Sequence, residues 1–106
     1  MPKYLAHCNY VGDGVKGLLK EGGTSRRAVV DKLVESVGGK VEAFYYAFGE
    51  TDLYVIAELP DHEAMTAVAL MVAASGAIAI KTTVLLTPEQ VDEAAKKTPL
   101  YQPPGA

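Results

Sequence analysis

The order in which strand-like and helix-like stretches follow one another limits the fold of this chain more than any other feature. β-Compatible residues read at a period of two run over Lys3–Tyr10, Lys40–Phe48, Leu53–Leu59 and Ala77–Leu86. Between the first two, Gly12–Lys20 reads as a short helix carrying Val15, Leu18 and Leu19, and Gly22-Gly23 stops it. Thr24 or Ser25 then caps a stronger helix with Val30, Leu33, Val34 and Val37 on one stripe, ended by Gly38-Gly39. Gly49-Glu50-Thr51-Asp52 is a turn that joins the second and third strands as a hairpin. Asp61 caps a helix over His62–Ala74. Thr87-Pro88-Glu89-Gln90 opens a last helix with a cap, a proline at its first position and the glutamine of a capping box.

The resulting order, β-α-β-β-α-β plus a terminal helix, is that of the split βαβ, ferredoxin-like arrangement. It predicts an α+β fold with a four-stranded antiparallel sheet and its helices on one face. A length of 106 residues suits one domain, read here as 1–97. The segment 98–106 contains Pro99, Pro103 and Pro104, and reads as extended and able to lie along a neighbouring surface.

Charge excludes some functions. The net charge is −3, and apart from Arg26-Arg27 and Lys96-Lys97 no basic pair occurs, so no nucleic-acid partner is expected. The single cysteine, Cys8, lies in an apolar strand, where a buried, inert thiol is expected. Met1-Pro2-Lys3-Tyr4 lacks the apolar centre of a signal peptide, which points to the cytoplasm. Ala64–Ile80 carries no charge, but Ser75-Gly76 interrupts it. It reads as a buried helix followed by a buried strand, not as a membrane span.

The two sheet faces carry the functional argument. If Gly49 pairs with Asp52, Phe48 opposes Leu53, Tyr46 opposes Val55 and Phe44 opposes Ala57, a set that suits the face under the helices. The other face then holds Ala43, Tyr45, Tyr54, Ile56 and Glu58. It also takes Ala77, Ala79, Lys81 and Thr83 from strand four, and Leu5, His7 and Asn9 from strand one. Such a face is too apolar for water and calls for a partner. A second copy of the same sheet gives a closed, two-fold barrel, so a homodimer or higher homo-oligomer is expected. His7, Asn9, Tyr45, Tyr54, Glu58 and Lys81 would then line a shared ligand cavity or a polar network.

The residues Lys3-Tyr4, Asn9-Tyr10, Gly14-Val15-Lys16-Gly17-Leu18, Glu21-Gly22-Gly23-Thr24-Ser25-Arg26-Arg27 and Gly38-Gly39-Lys40 follow a recognisable pattern. So do Phe44-Tyr45, Gly49-Glu50-Thr51-Asp52, Ala57-Glu58-Leu59-Pro60-Asp61, Lys81-Thr82-Thr83 and Leu86-Thr87-Pro88-Glu89. Over Met1 to about Glu93 the chain resembles the GYD-domain family of small bacterial and archaeal proteins. The family's naming segment usually reads Gly-Glu-Tyr-Asp, and Thr51 stands here in place of that tyrosine. The resemblance implies a ferredoxin-like, dimeric α/β-barrel fold and no activity, since the family is one of unknown function. Monooxygenases and isomerases that need no cofactor share the fold, which is an analogy of fold alone.

Gly12-Asp13-Gly14-Val15-Lys16-Gly17 matches G-x-G-x-x-G in form, but Glu35 lies inside a helix where a dinucleotide site needs an acid at a strand end. A ligand-free glycine turn is expected. Thr24, Ser25, Arg26 and Arg27 can bind an anion at a helix start, or can be a plain cap with solvated arginines. His7 is placed to act as a base, Tyr45 or Tyr54 to orient a carbonyl or phenol oxygen, and Lys81 to stabilise an oxyanion. Glu58 can orient His7 or pair with Lys81. His62 reads as exposed and inert. His7, Cys8 and His62 lack metal-ligand spacing, so neither metal nor cofactor is expected. The leading expectation is a homo-oligomeric small-molecule-binding or regulatory module. The alternative is a cofactor-independent enzyme on a small aromatic or enolisable substrate, with His7 as base. A purely structural assembly unit is a third possibility.

Overall fold

The computed structural model describes residues 1–47 and 49–105. Four strands, β1 (Lys3–Tyr10), β2 (Lys40–Tyr46), β3 (Leu53–Glu58) and β4 (Ile78–Leu85), form one sheet in the order β2-β3-β1-β4. Every neighbouring pair is antiparallel. Helices α1 (Gly14–Glu21) and α2 (Gly23–Glu35) connect β1 to β2, α3 (His62–Ala74) connects β3 to β4, and α4 (Pro88–Ala95) follows β4. This is the α+β, ferredoxin-like fold.

One face of the sheet is covered. Tyr4, Ala6 and Cys8 of β1, Phe44 of β2, and Leu53, Val55 and Ala57 of β3 point into the core. Val34 of α2 and Met65 and Val68 of α3 meet them. Each large side chain so buried contributes about 1.5–3 kcal/mol. Val30, Leu33 and Val37 pack beside Val34, so the predicted stripe of α2 is its core face. The packing falls into two clusters, one around Tyr4 and Leu59 and one around Cys8 and Phe44. A partly enclosed apolar cavity of about 70 Å³ lies between the sheet and the helices, among Cys8, Leu33, Ala57, Met65 and Ile80.

The hairpin register differs from the expected one. Tyr46 opposes Leu53 and Phe44 opposes Val55, a shift of two residues. Ala47 N–H, not Gly49, closes the hairpin by donating to the Asp52 carbonyl at 2.8 Å. The cause is Asp52, which β1 captures. Its amide donates to the Cys8 carbonyl (3.0 Å) and to Asn9 Oδ1 (2.9 Å), and its carboxylate accepts from Tyr10 N–H (3.0 Å). A shift of two keeps every side chain on its face. A bulge between Val41 and Ala43 then returns Val41 to the core side. The expected Phe48–Leu53 pairing lies outside the described residues.

One cap differs as well. Gly22, at φ 86°, begins α2, and Thr24 and Ser25 sit exposed inside its first turn. Asp61 caps α3 through Ala64 N–H as expected, and Thr87 with Gln90 forms the full capping box of α4. The apolar run Ala64–Ile80 is only half buried. Only one face of α3 meets the sheet, and Leu70 and Met71 on the other are exposed; β4 is an edge strand. Among the described residues no helix is long and apolar enough to cross a membrane.

Candidate functional site

The uncovered sheet face is built by strand alternation. In β1 Tyr4, Ala6 and Cys8 are buried, so Lys3, Leu5, His7 and Asn9 point the other way. In β3 Leu53, Val55 and Ala57 are buried, leaving Tyr54, Ile56 and Glu58 on that same open face. Register then aligns the strands. Tyr45 pairs with Tyr54, Tyr54 with His7, and His7 with Lys81. These four form one straight row across the sheet, about 14 Å long at the usual strand spacing. The row below it is apolar at Ala43, Ile56 and Leu5 and ends on Thr83.

A concave site of about 440 Å³ lies on this face, lined by His7, Asn9, Tyr54, Lys81 and Thr83, with Glu50 and Thr51 from the hairpin loop. The His7 and Tyr54 rings meet edge to face with centroids 5.4 Å apart. His7 Nε2 stands 3.3 Å from Thr83 Oγ1, a long contact. Asn9 spends its carbonyl oxygen on the Asp52 amide, which leaves its NH₂ as a donor. Tyr54 is 38% exposed, whereas Tyr45 is 72% exposed and stands beyond the rim on the outer strand. The structure thus brings His7, Asn9, Tyr54 and Lys81 together and leaves Tyr45 beside them.

Glu58 belongs elsewhere. It accepts from Lys3 Nζ at 3.0 Å, and Glu42 at the bulge accepts from the same ammonium at 2.6 Å. Those two bonds hold the Lys3 pKa above its usual value, Glu42 contributing most, and the Lys3 bond holds the Glu58 carboxyl low. Glu58 therefore neither orients His7 nor pairs with Lys81. The expected reading omitted Lys3 and Glu42, because only register and the bulge bring them to Glu58.

The arginine pair is also engaged. Arg26 donates to Glu21 at 3.2 Å, and Arg27 lies 3.9 Å from Asp31 with its guanidinium 5.8 Å from the centre of the Phe44 ring. Thr24, Ser25, Arg26 and Arg27 do not converge on the 440 Å³ site. The G-x-G-x-x-G segment has a packing role. A side chain at Gly14 would overlap the Ala77 carbonyl oxygen, so Gly14 admits close approach of α1 to the start of β4. His62 is exposed but not inert, since its Nδ1 is 2.6 Å from the buried Tyr4 hydroxyl. Cys8 is buried, and burial pushes its thiol up to about 11. Among the described residues no three His, Cys, Asp or Glu side chains gather as a metal site.

A family model described as GYD domain matches residues 4–95. No curated protein matches the chain.

Proposed function

The chain belongs to the GYD domain family, and on that premise we propose that it is a homo-oligomeric module that binds a small molecule on the open face of its sheet. The observation that carries this reading is the Tyr45–Tyr54–His7–Lys81 row beside a concave site of about 440 Å³. The ligand it suits is a small anion with a flat, apolar body. Lys81 supplies the positive charge on the strand side, with Glu50 the acid on the loop side, Asn9 and Thr83 supply donors, and Tyr54 supplies a ring wall. Leu5, Ile56 and the largely exposed Tyr45 form the apolar remainder of the face, which a second sheet would cover. Residues 1–97 form the domain in this reading.

The test is thermal melting and calorimetry against a panel of small aromatic carboxylates. A binder should raise the melting temperature, and Lys81→Ala should remove the shift while leaving the fold intact. No shift with any member of the panel would sink the ligand reading. A monomer by light scattering at micromolar concentration would sink the assembly.

A cofactor-independent enzyme is the second reading. It is favoured by the His7 imidazole, which lies edge to face with Tyr54, makes a long contact with Thr83 and pairs across the strands with Lys81. There His7 would take a proton from an enolisable substrate and Lys81 would hold the oxyanion. His7→Gln would then abolish turnover without loss of binding. Equal turnover by this variant would eliminate His7 as the base.

A further inference from the structure

Among the described residues, two exposed apolar surfaces adjoin β4 away from the open sheet face. The first is the segment that follows β4. No residue of α4 is buried, and all residues from 88 to 105 are exposed. Yet Val91, Ala94 and Ala95 share one stripe of α4, and Leu86 before it and Leu100 and Tyr101 after it in the chain are exposed large apolar side chains. A helix of eight residues is not stable in water without a surface to pack on. Its direction is nevertheless firmly set. Only Leu86 and Thr87 separate it from β4, Pro88 fixes its first turn, and Thr87 and Gln90 exchange both capping-box bonds, at 3.1 and 2.8 Å.

The second surface is a groove of about 390 Å³ between α3 and the edge strand β4. Ala69, Leu70 and Ala73 form its helix wall, and Ile80 and Val84 its strand wall. Leu70 and Val84 are exposed, as is Met71 beside them. From Ala64 to Ala74 α3 bears no charge, so the acidic side of α4 (Glu89, Asp92, Glu93) meets no like charge there.

The size of the chain shows how much surface is uncovered. Its radius of gyration is 17.0 Å, against about 13 Å for a compact domain of this length. It exposes 7364 Å², where a compact monomer of this mass exposes about 5,700 Å². The excess, about 1,700 Å² per chain, is in the range that a stable homodimer buries.

We propose that the segment 86–105 is an exchange arm, and that its docking site is the α3/β4 groove of a second copy of this chain. Strand β4 is both a wall of the groove and the root of the arm. A two-fold axis beside β4 therefore sets each arm root next to the other copy's groove, and the exchange closes on itself. Arm and groove lie off the open sheet face, so the exchange is independent of what binds there.

The test uses the full chain carrying Leu70→Cys and Val91→Cys, treated with a flexible bis-maleimide at micromolar concentration. Both positions are exposed, so the fold tolerates the changes, and the native Cys8 is buried. The expected product on a denaturing gel is a covalent dimer. A cross-linked monomer would show that the arm folds onto its own groove, and absence of any cross-link would show that the groove is empty; either result overturns the proposal. As a second measurement, adding Ala95→Asp to the chain carrying Leu70→Cys and Val91→Cys should reduce the yield of covalent dimer at least tenfold, with an unchanged circular dichroism spectrum. An unchanged yield overturns the arm.

Discussion

Tyr4 and His62 stand 58 positions apart and share one hydrogen bond of 2.6 Å, but the two ends of that bond are unequal. Tyr4 is buried and His62 is exposed. Removing His62 strands a buried hydroxyl, whereas removing the hydroxyl leaves an imidazole that water can reach. His62→Ala should therefore cost about 1–3 kcal/mol, and Tyr4→Phe about 1 kcal/mol or less, in urea unfolding. Nothing local in the sequence marks His62 as a partner, because the contact exists only once β1 and α3 are packed. Cys8 was legible from its apolar neighbours alone. Burial pushes its thiol from 9.0 to about 11, and burial with Tyr46 alongside pushes the Tyr10 phenol from 10.0 to about 12. In both groups folding favours the neutral form. Their contribution to stability is whole below pH 9 and is lost as pH rises through about 11 for Cys8 and about 12 for Tyr10. Equilibrium unfolding from pH 8 to 12 should show stability falling above pH 9, and Cys8 should resist alkylation at pH 8 until the protein is unfolded.

At the scale of the elements, faces were readable and register was not. Period-two alternation assigned Phe44 and Tyr46 to the core side and Tyr45, Tyr54 and His7 to the open side, and a register shift of two residues preserved those assignments. The register itself depends on Asp52, whose three bonds reach across to β1 from the hairpin loop. That is a non-local contact, invisible to turn chemistry. Asp52→Ala removes the acceptor of Tyr10 N–H and should cost about 1.5–3 kcal/mol. It should also weaken any ligand of the 440 Å³ site, since the adjacent Glu50 and Thr51 form part of its lining. Melting and ligand titration of the same variant check both effects. The junction of α1 and β4 gives a second prediction. Gly14→Ala forces a methyl group against the Ala77 carbonyl and should cost about 1–3 kcal/mol in denaturant unfolding, whereas Gly17→Ala meets open space and should be neutral or slightly stabilising.

For the whole molecule, the βαββαβ order set the architecture before any contact was known, because helices of this length between antiparallel strands must share one face of the sheet. The candidate site was legible to the same depth. His7, Tyr45, Tyr54 and Lys81 were assigned to one face by alternation, and register alone turned them into a row while sending Glu58 to Lys3. The void of about 70 Å³ between the helices and the sheet is a property of the whole molecule too. Its walls are small at Ala6, Cys8 and Ala57, and the side chains of α2 and α3 that cover them leave the space unfilled. Unfolding eliminates that space, and the volume decrease on unfolding scales with the void so removed. Hydrostatic pressure should therefore unfold the protein more readily than its thermal stability suggests, and a larger side chain at Ala57 that occupies the void should raise the pressure of half-unfolding. A small domain with a hollow under its central strands is, in this sense, a compressible one.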